Sequence, residues 1–118
     1  LEIHRDGPHL QARLTESEPE NSCRPAVDVL FRTTAVAVPR HILAVVLTGM
    51  GQDGLVGAEL IRETGGMVLV QDEASSVVWG MPGAIAKAGL ADEIIPLCDV
   101  GARVVEHVQA ARSNGKVA

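Results

Sequence analysis

LTGMGQDG, residues Leu47 to Gly54, separates an apolar, β-branched run (Ile42 to Leu47) from an amphipathic helical stretch (Leu55 to Thr64). Gly49, Gly51 and Gly54 spell G-x-G-x-x-G, and a second apolar run, Met67 to Gln71, follows the helical stretch. Asp72 then stands at about the spacing where an acid meets a ribose hydroxyl, so the layout is that of a dinucleotide-binding βαβ unit. Asp53 argues against that use. Its carboxylate would face two phosphates across a short gap, and such like charges repel by several kcal/mol even at an effective dielectric of about 20. The loop is built to present an acid.

The same periodicities extend outward from the loop. Ile42 to Leu47 carries no polar residue on either face, as expected of a parallel strand covered on both sides. Val27, Leu30, Phe31, Thr34, Ala35 and Val38 share one face of a helix over Val27 to Val38, which Pro39 ends. Asp28 and Arg32 read as an exposed i, i+4 pair on it. In the helix after the loop, Val56, Gly57, Leu60 and Ile61 face inward, with Gly57 allowing close approach to the sheet and Gly65 and Gly66 as C-terminal caps. Ser75 or Ser76 can cap a short helix, Pro82 suits the first residue of another, and Ile94 to Leu97 is a short strand. Asp99 caps a last helix whose stripe is Val100, Val104, Val108 and Ala111.

Upstream, Glu2 to His4 and His9 to Leu14 flank Asp6-Gly7 as a hairpin, and Thr15 to Cys23 reads as a solvated loop without chemistry. Alternating strands and helices predict an α/β fold: a doubly wound, mainly parallel sheet with flanking helices, Rossmann-like and three-layered, preceded by a β-hairpin. Ligands of such sheets bind beyond the C-terminal ends of the strands, where the TGMGQDG and QDEASS loops converge.

Composition narrows the function. The 118 residues suffice for one small domain, and 47% apolar content supports a core. One Phe, one Trp and no Tyr argue against base- or sugar-stacking platforms. A net charge of −5 argues against nucleic acid, and no apolar run approaches the ~20 residues of a membrane span. Cys23 and Cys98 lie in no C-x-x-C or Cys/His cluster, so no structural zinc is expected. Two unpaired thiols suit a reducing cytoplasm, each as a buried or partly buried apolar residue. A hairpin beginning at Leu1 with no element ahead of it reads as a fragment.

Three stretches carry a resemblance: T-G-M-G-x-D-G (Thr48 to Gly54), Q-D-E-x-S-S-x-V-x-G-M-P (Gln71 to Pro82) and R-P-x-V-D-V-L-F (Arg24 to Phe31). Together they resemble the chemotaxis protein-glutamate methylesterase family (CheB). Ala26 departs from the serine usual there, which removes a helix-capping hydroxyl. The resemblance covers Leu1 to Arg112 as the C-terminal part of the catalytic domain, incomplete relative to the family domain, with 113–118 as a frayed tail. It implies a cytoplasmic esterase that hydrolyses glutamate methyl esters on methyl-accepting chemotaxis receptors, and deamidates glutamines, through a Ser-His-Asp triad. A receiver domain and the rest of the catalytic domain are expected upstream. No metal, organic cofactor, nucleic acid or membrane insertion is implied.

Asp53 is the residue on which this rests. From the residues alone, an acid before a helix is a helix cap; the resemblance makes it the triad acid, which orients the histidine and stabilises its imidazolium. Met50 alone reads as a gap-filling core residue; by resemblance it lines the active site with Gly49 and Gly51, its N–H a candidate oxyanion donor. Gln71, Asp72 and Glu73 read as a polar loop, and by resemblance as the floor of the site. Ser75 and Ser76 lie in no G-x-S-x-G elbow. His4, His9, His41 and His107 are scattered, as surface or boundary histidines are. The family's serine and histidine segments precede the hairpin and match nothing here. The chain thus contributes only Asp53 and is expected to be inactive alone. Rival readings are a NAD- or nucleotide-binding half-domain and a degenerate docking module.

Overall fold

The apolar run before the glycine-rich loop forms a strand, β3, over Leu43–Val46, and the run after it forms β4 over Met67–Gln71. They pair in parallel from Leu43↔Met67 to Val46↔Val70. A third parallel strand, β5 (Glu93–Ile95), joins β4 from Leu69↔Glu93 to Gln71↔Ile95, giving the order β3-β4-β5. The computed structural model describes residues 1–38 and 40–113. Ahead of the sheet lie the hairpin strands β1 (Glu2–Asp6) and β2 (His9–Arg13) and helix α1 (Val27–Ala37). Helix α2 (Leu55–Glu63) joins β3 to β4, α3 (Met81–Lys87) joins β4 to β5, and α4 (Leu97–Ser113) follows. This is the expected α/β class, a parallel sheet with flanking helices.

Period-two alternation sorts the sheet residues. Ala44, Val46, Val68 and Val70 meet Phe31 and Ala35 of α1, Ala58 and Ile61 of α2, and Ile85 of α3 in one core. Each fully buried Val or Ile contributes about 1.5–3 kcal/mol relative to exposure, so this layer fixes where β3 ends and the loop begins. The hairpin docks on α1. The Ile3 N–H donates to Thr33 Oγ1 at 3.0 Å, and Arg5 Nε donates to the Ala37 carbonyl at 2.9 Å, where α1 runs out of internal acceptors' partners.

Several local expectations are corrected. Leu43 and Val45 are only partly buried and Leu47 is exposed, because β3 edges the sheet and has full cover on one face alone. Gly57 faces α1, not the sheet: a Cβ there would lie 2.5 Å from Phe31 Cβ. Val56 is exposed, and Ala58 takes the buried place. No helix starts at Ser75 or Ser76, and the next one, α3, begins only at Met81. Instead, Asp72 Oδ1 accepts from the Ser75 N–H at 3.0 Å and closes a turn. Met81 precedes Pro82 in α3, β5 begins at Glu93, and Leu97 already belongs to α4. Asp99 therefore sits in the first turn of α4 and not at its cap. Cys23 and Cys98 are both exposed thiols. Pro39 and residues 114–118, including most of the expected tail, lie outside the described residues.

Helix α4 buries none of its residues. Its attachment is polar: Arg103 donates to Glu93 from Nε at 2.8 Å and from Nη2 at 2.7 Å, and His107 Nε2 meets the same carboxylate at 2.7 Å. Hydrogen bonding from Arg103 holds the Glu93 carboxyl below its ordinary range, against burial and with help from His107.

Candidate functional site

The loop after β3 is held from two sides. Behind it, Gln71 at the end of β4 is fully buried, and its Oε1 accepts from the Thr48 N–H at 2.8 Å while Nε2 donates to the Ser75 carbonyl at 2.7 Å. Thr48 Oγ1 donates to the Val78 carbonyl and accepts from the Val78 N–H, both at 2.9 Å. The Gly49 carbonyl takes the N–H groups of Gly80 and Met81 at 3.0 and 2.9 Å. Gly80 is required for this approach, since a Cβ would lie 2.7 Å from the Gly49 carbonyl oxygen. The two loops beyond adjacent strands are thus stitched into one rigid unit, as their position at the strand ends suggested.

The other side carries the acids. Asp53 is 7% exposed and Asp28 2% exposed. Asp53 precedes α2 but caps α1: Oδ2 accepts from the Val27 N–H at 2.6 Å, and Oδ1 from the Asp28 N–H at 2.9 Å. Asp28 lies on α1 but caps α2: Oδ1 accepts from the Gly54 N–H at 3.1 Å and the Gly57 N–H at 2.7 Å. Each helix start is satisfied by a carboxylate from the other. The helix-capping hydroxyl missing at Ala26 is replaced by Asp53, and the anticipated Asp53 cap exists on the other helix. Asn21 joins the two acids, with Nδ2 donating to Asp28 Oδ2 at 2.6 Å and to Asp53 Oδ1 at 3.0 Å. Hydrogen bonds to charged groups contribute about 1.5–3 kcal/mol each, so this cluster outweighs any surface pair among the described residues.

Two sequence expectations fall here. Asp28 and Arg32 form no exposed pair; Asp28 is buried in the cluster and Arg32 donates to Glu20 Oε2 at 2.9 Å. The stretch Thr15 to Cys23 is not inert, since it supplies Asn21. Nothing in periodicity marks Asn21, and only an asparagine in a short polar segment, a residue type suited to turns, could have hinted at it.

The dinucleotide reading loses its anion site. A pyrophosphate would need the free N–H groups at the start of α2, and those of Gly54 and Gly57 already serve Asp28 Oδ1. Asp72, the would-be ribose acid, is engaged by the Ser75 N–H and hydroxyl. Met50, within this loop, is 77% exposed and not the gap-filling core residue its side chain suggested. Glu73 is exposed. The histidines do not converge on Asp53: His4 pairs with Glu2 and His107 with Glu93, and His9 and His41 are exposed. Among the described residues, no group of three or more His, Cys, Asp or Glu could hold a metal ion, and no helix is long and apolar enough to cross a membrane.

Comparison with known proteins shows the family. The CheB methylesterase family model matches residues 1–104. A protein-glutamate methylesterase/protein-glutamine glutaminase of a Nocardioides species is 55% identical over 112 residues, which are 95% of this chain and 31% of that protein. One of the same name from Trichodesmium erythraeum is 56% identical over 104 residues, covering 88% of this chain and 30% of the relative. The chain therefore spans under a third of the length of these curated relatives. The crystal structure of the Thermotoga maritima CheB methylesterase catalytic domain superposes with a TM-score of 0.86 at 32% identity, over 89% of this chain and 56% of that one. A buried acid in a stitched strand-end loop, the fold around it and matched sequence over most of its length lead to one assignment: the chain belongs to the CheB methylesterase family.

Proposed function

We propose that this chain forms the part of a protein-glutamate methylesterase that supplies Asp53 as the acid of a Ser-His-Asp triad. The observation that carries the reading is the placement of the Asp53 carboxylate: buried, fixed by two backbone N–H groups, and at the strand ends where such sheets bind ligands. The serine and histidine would come from sequence outside these residues. The serine oxygen would attack the ester carbonyl of a methylated glutamate while the histidine takes its proton and passes it to departing methanol. Water would then hydrolyse the acyl-enzyme, leaving glutamate and free serine. Asp53 would keep the imidazole in the working tautomer and stabilise its protonated form.

On this reading Met50, Gly49 and Gly51 line the site, and the Met50 N–H is an oxyanion donor. The substrates are chemoreceptor glutamate methyl esters, and the names of the relatives extend the chemistry to glutamine deamidation. An upstream receiver domain and a cytoplasmic setting belong to the same proposal, and no cofactor takes part.

The test is Asp53→Asn in a complete catalytic domain. The amide can accept from only one of the two α1 N–H groups, so stability should fall by about 1–3 kcal/mol. Turnover should fall far more, up to about 10⁴-fold as in serine proteases, with little change in receptor binding. Near-normal esterase turnover in a variant of lowered melting temperature would reduce Asp53 to a helix cap and sink the triad assignment.

A further inference from the structure

We propose that Asn21 is a positioning residue for the triad acid, an inference that rests on the reading of Asp53 given above. Asp53 receives three donors among the described residues: the Val27 N–H, the Asp28 N–H and Asn21 Nδ2. Only the last is a side chain. Oδ1 takes two of the three, from Asp28 and Asn21, and Oδ2 takes one, from Val27. A carboxylate oxygen has about two acceptor sites. Oδ1 is therefore saturated, and Oδ2 is the oxygen with capacity for an imidazole N–H. Asn21 thus selects which oxygen serves the histidine.

The amide of Asn21 is itself locked. Its two N–H bonds reach separate carboxylates, Asp28 Oδ2 at 2.6 Å and Asp53 Oδ1 at 3.0 Å, so rotation would break both bonds. Both partners only accept, which dictates that the nitrogen and not the oxygen faces them. The same amide stands between two acids that would otherwise repel. The backbone adds a second demand. Asn21 has φ +55° and Ser22 has φ +61°, in a turn closed by Glu20 N–H to Cys23 carbonyl (3.1 Å) and Cys23 N–H to Glu20 carbonyl (2.9 Å). Asparagine tolerates this left-handed conformation and offers two donors. Glycine meets the first demand alone; aspartate tolerates the backbone but brings a third negative charge.

That contrast defines the experiment, performed in a complete methylesterase catalytic domain with methylated receptor as substrate. Asn21→Gly keeps the backbone and removes the amide. It should lower kcat by about 10- to 100-fold, the scale of a misplaced catalytic group, with KM within about twofold. Combining it with Asp53→Asn should slow the enzyme no further than Asp53→Asn does, because both act through one carboxylate. If Asn21→Gly does not fold, Asn21→Asp replaces it, with a kcat loss at least as large. Unchanged kcat in the folded variant, or losses that multiply in the double variant, overturns the role of Asn21 while the triad stands. Retained turnover in Asp53→Asn alone removes the triad itself, and the two failures are thereby distinct.

Discussion

The Asp53 loop and helix α4 are both anchored by carboxylates, and they are anchored in opposite ways. Around Asp53, two acids almost sealed from water accept backbone N–H groups that have no other use. At the surface, Arg103, Glu106 and His107 of α4 and Glu93 of β5 form a polar network with two arginine–carboxylate ion pairs, on a helix with no fully buried residue. The first arrangement exchanges orphan helix donors for charged acceptors in a low-dielectric setting, where direction is enforced. The second competes with water and salt, where pairs contribute about 0–1 kcal/mol. Similar side chains thus fix a buried corner in one place and merely tether a helix in the other.

The sharpest way to break this contrast is Asp28→Ala. It leaves the Gly54 and Gly57 N–H groups buried without an acceptor, at about 1–3 kcal/mol each, and urea unfolding should register a total loss of roughly 2–6 kcal/mol. A change as small as that of a surface acid would mean the cross-capping contributes nothing. Next comes Gly57→Ala. Its methyl must displace Phe31, so overpacking should cost about 1–3 kcal/mol and disturb the start of α2, visible as a lowered melting temperature.

The smallest effect belongs to Glu93. Its pKa is lowered in the fold, chiefly by Arg103, so the stability it adds is present above the ordinary carboxylate range and fades as pH falls through its folded value. Glu93→Gln should cost under about 1 kcal/mol at neutral pH and low salt. The difference from the parent should shrink both on acidification and in molar salt. A difference that persists at low pH would show that Glu93 acts through packing.

The order of elements was legible in the chain, because Ile42 to Leu47, Met67 to Gln71 and the helix after Gly54 each keep a clear period. The unfitness of this loop for a phosphate was legible as well, since Asp53 is an awkward residue there; the N–H groups at the start of α2 serve Asp28 instead. What could not be read was the partner of Asp53. Asp28 sits at a helical position that looks solvent-facing, and only the crossing of α1 over α2, permitted by Gly57, turns it inward. Asn21 was hidden for the same reason: its partners are 7 and 32 residues away along the chain. The inert look of the cysteines misled in the other direction, because apolar character says nothing about which loops leave the core, and both thiols are exposed. Periodicity reports faces of single elements; a site made where two helix starts meet belongs to neither.

The exchange of acids between α1 and α2 also bears on how the chain reaches its native state. Contacts that span 25 residues from Asp53 to Asp28 and 29 from Gly57 to Asp28 close loops, and loop closure sets the entropic toll before either bond can form. Neither helix caps its own first turn with a side chain from its N-cap residue, because the acceptor comes from the other helix. Docking and capping are therefore one event, and the geometry around Asp53 exists only when the whole αα corner does. A partly collapsed chain with both helices formed still lacks an aligned carboxylate, so the placement of Asp53 is a property of cooperativity and not of local structure.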